Sequence, residues 1–286
     1  MTTVVSQAGI LVEPPKRSLA ARVVPPAITF VLFIALWYFI SYIVVGGTKV
    51  KRMQTLPAPH EVWLKGVLPM WEEHRGLKPI LLALWPTVQT AIIGLAIAIV
   101  LGMTIAIIMN FSKGLERGIF PYAVVIQTVP ILALVPILTQ WFGFGMQTRI
   151  IVAVLIAVFP VITNTFFGLQ SADRSHHDLF TLNRVNRFTR LWKMELPNAK
   201  PAIFAGLRIA AGGAVIGAIV GDFFFTQGDK GIGYLIQNYS KKAARKPELI
   251  AATAVSSLFG VVMFLIVGTI ATRALRNWHE SARPRN

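Results

Sequence analysis

The chain has 286 residues, of which 55% are hydrophobic and only 14% are charged, and its formal net charge is +16 at pH 7. A soluble domain carries about 25% charged residues, so this composition indicates an integral membrane protein and argues against a soluble enzyme. The chain contains no cysteine, which excludes disulfides, a thiolate nucleophile and zinc–sulfur sites. The basic residues lie between long apolar runs, so no nucleic-acid partner is expected.

Six apolar segments have about the 20 residues that a membrane-spanning helix needs. They predict an all-α integral membrane protein with six transmembrane helices, at residues 27–46, 86–109, 119–142, 150–169, 203–225 and 250–271. Pro130 and Pro136 interrupt the third segment, which makes it the least regular of the six. The first dozen residues lack the basic start and compact apolar run of a cleavable signal peptide, and the following span is too long for one. We therefore expect a cytosolic tail at 1–26 before an uncleaved anchor at 27–46.

The distribution of Lys and Arg predicts the orientation, because cytoplasmic loops of membrane proteins collect basic residues. With the N-terminus inside, the cytoplasmic segments hold 15 of the 28 Lys and Arg residues and the outer segments hold 12. The excess is small, and the long first outer loop at 47–85 counts less than short loops do. We therefore expect both termini in the cytoplasm, including a short C-terminal tail at 276–286.

The first outer loop contains a predicted helix between residues 61 and 73. Its apolar residues recur at helical spacing, and they are Val62, Trp63, Val67, Leu68 and Trp71. Tryptophans at the depth of the lipid headgroups are typical of an interfacial anchor. A surface for docking a partner is the alternative interpretation of this helix.

The sequence carries no signature of an energy-converting or hydrolytic site. No G-x-x-x-x-G-K-[ST] phosphate loop and no HExxH motif occurs, so we expect neither enzymatic activity nor a cofactor in this chain. Only Arg208 and Asp222 are charged within a predicted span, and both are expected near its ends, Arg208 reaching the inner interface. Proton-driven carriers place acidic or histidine residues at mid-depth, so this pattern argues against secondary transport.

Small residues recur in the predicted fifth span at Gly213, Gly217 and Gly221. This spacing lets two helix backbones approach closely. The stripe predicts either packing against a helix of the same chain or a subunit interface or pore-lining helix. Polar residues in the third and fourth spans are candidates for the wall of a translocation path, and they are Gln127, Gln140, Asn164 and Thr165.

Residues 171–202 form a cationic segment before the fifth span. Between 178 and 191 its apolar residues lie three apart, at Leu179, Leu182, Val185, Phe188 and Leu191. Its basic side carries Arg184, Arg187, Arg190 and Lys193. The pattern predicts an amphipathic helix that binds anionic lipid or lies in a groove of a cytosolic protein. Pro197 and Pro201 are expected to end this helix.

The cationic segment resembles the cytoplasmic loop of ABC importer membrane subunits, whose pattern is Glu-Ala-Ala, three residues, Gly, nine residues, Ile-x-Leu-Pro. Leu196 and Pro197 match its Leu-Pro end, whereas Arg184 stands at the glycine position and Asp178 at the glutamate. The flanking runs TVPILALVPILTQWFGFG, FPVITNTFFGLQSAD, LPNAKPAIFAGLRIA and GIGYLI are similar, in order, to blocks of nitrate, sulfonate, taurine and thiamine-precursor importer permeases. The resemblance covers about residues 86–275.

This resemblance implies a type I ABC importer permease domain at 86–275 in the bacterial inner membrane, acting as a homodimer with two ATPase subunits and an extracytoplasmic binding protein. Residues 171–202 would be the coupling loop, which rests in a cleft of the ATPase so that closure of the ATPases switches the pore between its two openings. The solute would be a small oxyanion or a neutral heterocycle. The residues expected at the ATPase contact are Asp178, Leu182, Arg184, Val185, Phe188, Leu191, Leu196 and Pro197.

The departures from the family pattern leave two alternatives open. A glycine at position 184 would turn the chain with positive φ, which costs arginine about 1 kcal/mol or more, so either the turn is reshaped or the helix continues through it. Leu179 and Phe180 replace the two alanines, which favours a dedicated ATPase partner over a heterodimer whose other half carries the standard loop. A six-helix channel or membrane scaffold with a lipid-binding cationic helix is the alternative function.

Overall fold

The structure is a computed structural model that describes residues 19–69, 75–224 and 230–276. Five of the described helices are long and apolar enough to cross a membrane, and a bent pair of shorter helices makes a sixth if the two together are one span. The predicted all-α membrane class is therefore confirmed, with five or six candidate spans. The helices are α1 Leu19–Phe39, α2 Lys49–Thr55, α3 Pro59–Val62, α4 Leu77–Asn110, α5 Lys113–Thr128, α6 Ile131–Phe142, α7 Met146–Leu169, α8 Arg174–Leu182, α9 Arg187–Arg190, α10 Leu196–Asp222, α11 Ile232–Ser240 and α12 Lys246–Leu275.

The spans are longer than the apolar runs that predict them. α4 begins at Leu77, nine residues before the predicted start, and Pro86 lies inside it. Neighbouring helices can satisfy the backbone groups that such a proline frees, so the helix continues through it. The same holds at Pro160 in α7 and Pro201 in α10.

Four helices form the core of the bundle. α7 lies between α4 and α10, and α12 packs on the other side of α10. The core side chains are largely alanine and valine, with alanines from α4, α7 and α10, whereas α12 contributes Phe259 and Met263. Small side chains let membrane helices gain van der Waals contact over a long interface. α1 lies outside this core and is held through the outer loop, where Trp37 Nε1 donates to the carbonyl of Pro57 (3.1 Å).

The small-residue stripe of α10 faces α7 of the same chain. A Cβ atom on Gly217 would lie 2.6 Å from the Cα of Ala153, and one on Gly213 would lie 3.3 Å from the Ile156 side chain. Gly221 approaches Arg149 in the same way. These contacts favour the first of the two interpretations, packing within one chain.

Replacing Gly217 by alanine is expected to destabilise the protein by about 1–3 kcal/mol. The new methyl group would clash with the backbone of α7 at Ala153, which can move only if the whole helix shifts. Gly212 provides a matched control on the same helix, since a Cβ there meets nothing within 4 Å. We expect Gly212→Ala to keep the stability or raise it by up to about 1 kcal/mol, because alanine favours the helix more than glycine does. Thermal unfolding in detergent measures both, and equal midpoints for the two variants would contradict the packing assignment.

The third predicted span is a broken helix. α5 and α6 meet at an angle of 98°, and the break falls at Val129 and Pro130. Pro130 precedes the first residue of α6, whereas Pro136 lies within α6 without ending it. The span over 119–142 is therefore not one continuous helix. Val129 and Pro130 both adopt extended backbone, and Pro130 has no N–H to donate, so the helical hydrogen bonds stop at this point.

The outer loop contributes a short helix that packs onto the bundle. α3 begins at Pro59 and continues as a π-helical turn to Val67, so the predicted helix starts two residues earlier and ends earlier than expected. Val62 and Gly66 are buried, and a Cβ on Gly66 would lie 2.6 Å from the carbonyl oxygen of Pro247 at the start of α12. Trp63 is exposed on the opposite side. Trp71 lies outside the described residues.

Candidate functional site

The cationic segment folds as two short helices joined by a tight turn. α8 ends at Leu182, and Arg184 adopts a left-handed conformation with φ of 49°. The backbone N–H of Val185 donates to the carbonyl of Phe180 (3.0 Å), and that of Arg184 donates to the carbonyl of Thr181 (3.0 Å). These two bonds define a Schellman motif, the helix ending that normally takes glycine at its left-handed position. The turn of the family pattern is therefore present, with arginine in place of glycine.

A new helix begins directly after this turn. The Asn186 side chain accepts a hydrogen bond from the backbone N–H of Thr189 (2.7 Å), which caps the first turn of α9. The chain then remains helical from Arg187 to Asp222, through a π-helical turn at Leu191–Glu195. Two sequence predictions are corrected here. The prediction of one amphipathic helix over 178–191 is wrong, because the turn at Arg184 divides the segment. Pro197 and Pro201 do not end the helix, which passes through a π-helical turn at Leu191–Glu195 and continues to Asp222.

Replacing Arg184 by glycine is expected to stabilise the protein by about 0.5–1 kcal/mol. The substitution removes the steric cost of an arginine in the left-handed conformation. Glycine also increases the conformational entropy of the unfolded chain, which offsets part of this gain in stability. Arg184→Val should instead destabilise the protein, because a β-branched side chain is least compatible with positive φ. Unfolding midpoints of the two variants test this, and a lower midpoint for the glycine variant would contradict the strained turn.

The segment exposes large apolar side chains. Leu182 is 82% exposed, Trp192 is 70% exposed and Phe188 is 66% exposed. Leu191 is different: it is buried and packs with Leu169, Ala199 and Ile203. The expectation that Leu191 belongs to the exposed apolar side is corrected, because the chain turns at Arg184 and changes which residues share a face. Of the other predicted contact residues, Asp178 and Arg184 are exposed, whereas Val185, Leu196 and Pro197 are half-buried.

Polar and aromatic contacts tie the segment to the junction of α4 and α5. The Arg187 guanidinium donates to the carbonyl of Phe111, and the rings of Phe111 and Phe188 lie 5.6 Å apart. Asn110 Nδ2 donates to Glu195 Oε2 (2.7 Å). An open cleft of about 360 Å³ lies between the junction and the segment. The segment is thus attached both to α4 and, through continuous helix, to α10.

A buried ionic cluster lies at the opposite end of the bundle. Asp222 is buried at the end of α10, and its Oδ1 lies 3.3 Å from the Arg149 guanidinium of α7. Thr87 of α4 donates its hydroxyl to Asp222 Oδ2 (2.5 Å). The backbone N–H of Gly233 also donates to Oδ2 (3.3 Å), while that of Ile232 donates to Thr87 Oγ1 (2.9 Å). One carboxylate therefore joins three spans and the start of α11.

Two glycines make room for this carboxylate. A Cβ on Gly231 would lie 2.0 Å from Asp222 Oδ2, and one on Gly233 would lie 2.1 Å from the carbonyl oxygen of Ile219. The sequence places Asp222 at a membrane boundary but does not indicate Thr87 or Arg149, which lie far away along the chain. The GIGYLI run was the only local signal of the cluster. α11 then packs on the bundle, and burial of Tyr239 raises the pKa of its hydroxyl, because desolvation outweighs the opposing effect of Arg245.

The four polar candidates for a translocation path do not converge within one chain. Gln127 and Gln140 are exposed on α5 and α6. Asn164 donates to the carbonyl of Pro160 (2.9 Å) and packs where Gly206 brings α10 close to α7. Thr165 is buried, and its hydroxyl has no hydrogen-bond partner among the described residues. Their role along a path stays a prediction.

Comparison with known proteins identifies the family. Residues 98–280 match the binding-protein-dependent transport system inner membrane component. The chain belongs to this family. It is 34% identical over 178 residues to the formylaminopyrimidine transport permease protein ThiX of Halalkalibacterium halodurans, covering 61% of this chain and 69% of the relative. It is 30% identical over 169 residues to the riboflavin transport system permease protein RibX of Chloroflexus aurantiacus, covering 59% and 62%. It is 24% identical over 254 residues to the nitrate import permease protein NrtB of Leptolyngbya laminosa, covering 89% and 88%.

The predicted ABC importer permease of the nitrate and thiamine-precursor type is therefore confirmed. The chain is a multi-pass inner-membrane protein with the type I importer fold. Its partners in such a system are an ABC ATPase and a binding protein. ATP hydrolysis belongs to the separate ATPase subunit, so this chain is a transport component and not an enzyme. The channel or scaffold alternative is not favoured.

Proposed function

We propose that residues 171–202 of this importer permease contact the ATPase and transmit its closure to α10. The observation that carries this proposal is the exposure of Leu182 at the end of α8 and of Phe188 on the helix that continues to Asp222. Large apolar side chains in water gain about 1.5–3 kcal/mol each when a partner buries them. A continuous helix transmits displacement at one end to the other, because its backbone bonds resist bending.

The hydrogen bonds of the segment support a protein groove over a lipid surface. Arg187 is engaged by the carbonyl of Phe111, and Arg190 donates to Thr181 Oγ1 (2.8 Å). A lipid-bound amphipathic helix would instead direct such arginines toward headgroup phosphates. The exposed apolar residues and the internally bonded arginines together fit a partner protein with an apolar cleft.

A second copy of the chain supplies the other wall of the pathway in this proposal. The break between α5 and α6 leaves Pro130 exposed, and Gln127 on α5 and Gln140 on α6 are also exposed. Irregular backbone at membrane depth is tolerated only where protein or a water-filled cavity covers it, not against lipid. A homodimer provides such a cavity between two equivalent α5–α6 surfaces, and each copy then binds one of two ATPases.

Both termini lie in the cytoplasm in this proposal, which places residues 171–202 on the ATPase side and the Asp222 cluster on the outer side. The basic-residue distribution supports this orientation. A binding protein then delivers solute near α11. The relatives are named for a formylaminopyrimidine, riboflavin and nitrate, so the solute is a small anion or a heterocycle.

Single-cysteine cross-linking tests the proposed contact, since the natural chain has no cysteine. Leu182→Cys should form a cross-link to the ATPase in native membranes, and the purified complex should contain two permeases and two ATPases by mass. Leu115→Cys is the control, because Leu115 is also exposed but starts α5, outside the segment. If no nucleotide-binding subunit co-purifies in mild detergent while binding to anionic liposomes persists, the lipid-binding alternative replaces the proposal.

A further inference from the structure

The helix α10 of the fifth span contains a single arginine, Arg208. Arg208 is eight residues after Lys200 and fourteen before Asp222 in α10, which corresponds to about 12 Å and about 21 Å along the helix axis. Lys200 and Asp222 are thus about 33 Å apart, close to the thickness of the hydrocarbon core. The helix begins well before the predicted start at 203. Arg208 is therefore flanked by helix on both sides, and its position near the end of the span stays a prediction.

Arg208 makes one hydrogen bond among the described residues. Its guanidinium donates to the carbonyl of Gly268 on α12 (3.1 Å), and Nε is buried without a partner. The guanidinium packs directly on Gly268, where a Cβ would be in van der Waals contact with Arg208 Nε at 3.4 Å. No described carboxylate lies within ion-pair distance of this arginine. The bond to Gly268 positions the charge without neutralising it.

The half-exposed Arg208 borders an open face of α10. Ala205, Ile209 and Ile216 are exposed on this face, and a Cβ on Gly212 would meet nothing within 4 Å. A positive charge at this depth is costly against lipid, and intramembrane arginines normally face a water-filled cavity or an opposite charge. The open face and the uncompensated charge thus point to an aqueous path carrying anions.

We infer that Arg208 is an anion-binding residue of the translocation path, in which α10 presents the face of Ala205, Ile209, Gly212 and Ile216 to water. This inference rests on the proposed function and deepens it by assigning the ligand class. The ligand is an oxyanion, or the carboxylate, sulfonate or phosphate group of a larger solute, because guanidinium binds such groups through paired hydrogen bonds. A lipid phosphate offers the same chemistry, and the test separates the two sources.

The local potential beside Arg208 is measurable in the assembled complex. Gly212→Cys places a thiol one turn from Arg208 on the open face, in a chain with no other cysteine. Its labelling rates with anionic sulfonatoethyl and cationic trimethylammonioethyl methanethiosulfonate are compared in inside-out vesicles without nucleotide. We expect labelling by both reagents with a preference for the anionic one. Adding Arg208→Gln should lower the anionic-to-cationic rate ratio at least about threefold, whereas Arg208→Lys should preserve it.

Leu265→Cys is the matched control, since Leu265 is exposed on α12 and is expected to face lipid and to resist both reagents. An unreactive Gly212→Cys would overturn the inference in favour of lipid, including a lipid phosphate as the partner of Arg208. An unchanged rate ratio after Arg208→Gln would overturn the anion site even if the face is wet. Co-purification of the ATPase is the separate readout for the proposed function, so its failure is distinguishable from either result.

Discussion

Replacement of Leu182 by aspartate is expected to lower ATP-driven uptake and substrate-stimulated ATP hydrolysis at least about tenfold. Leu182 is 82% exposed at the end of α8, so the change does not disturb the packing of the permease itself. In the complex, however, a carboxylate would enter an apolar cleft of the ATPase, and burying such a charge without a partner costs more than the about 1.4 kcal/mol that a tenfold change requires. Uptake into whole cells and ATPase rates of the reconstituted complex measure the effect.

Two variants control for this experiment. Leu115→Asp introduces the same change at an exposed leucine outside the segment and should leave uptake unaffected. Leu191→Asp should instead reduce the amount of folded protein, because Leu191 is buried beside Leu169 and Ile203. Normal uptake by Leu182→Asp, at normal amounts in the membrane, would remove this segment from the ATPase contact.

Replacement of Asp222 by leucine is expected to destabilise the protein by about 3–5 kcal/mol. Arg149 would keep its buried position without the carboxylate that faces it, and Thr87 and the N–H of Gly233 would lose their acceptor. Because the cluster joins α4, α7, α10 and α11, the loss should also release α11 from the bundle. The thermal midpoint in detergent and the protease sensitivity around residues 232–240 measure the two effects.

The double variant Arg149→Met with Asp222→Leu tests whether the pair itself is responsible. Removing both charges should recover much of the stability that Asp222→Leu loses, because no buried charge then remains without its partner. Asp222→Asn is a milder change that keeps the shape and one acceptor oxygen. If the double variant is no more stable than Asp222→Leu, the destabilisation does not arise from the charge left on Arg149.

Some features of this protein follow from its sequence alone. Six apolar runs of sufficient length predict six spans. Each is expected to be a helix, because a helix satisfies its own backbone hydrogen bonds where lipid offers none. The motif order around Leu196–Pro197 predicts the family, which the comparisons confirm. The small-residue spacing of Gly213, Gly217 and Gly221 predicts close helix packing. The spans and the small-residue stripe are local, since each depends on residues within one segment, and the family follows from the order of such segments along the chain.

Other features depend on tertiary structure, because they join residues that are distant along the chain or depend on helix rotation. Periodicity does not give the outward face of a membrane helix when lipid and core are both apolar, so the sequence could not place Arg208 beside an open face. The buried position of Leu191 follows from the turn at Arg184, and that turn forms although arginine pays a steric cost there. Thr87 and Asp222 are 135 residues apart, and only the packing of α4 against α10 brings them together. The sequence pattern identifies the segment at 171–202. Which of its side chains are exposed and which pack on the bundle depends on its contacts with Asn110 and Phe111.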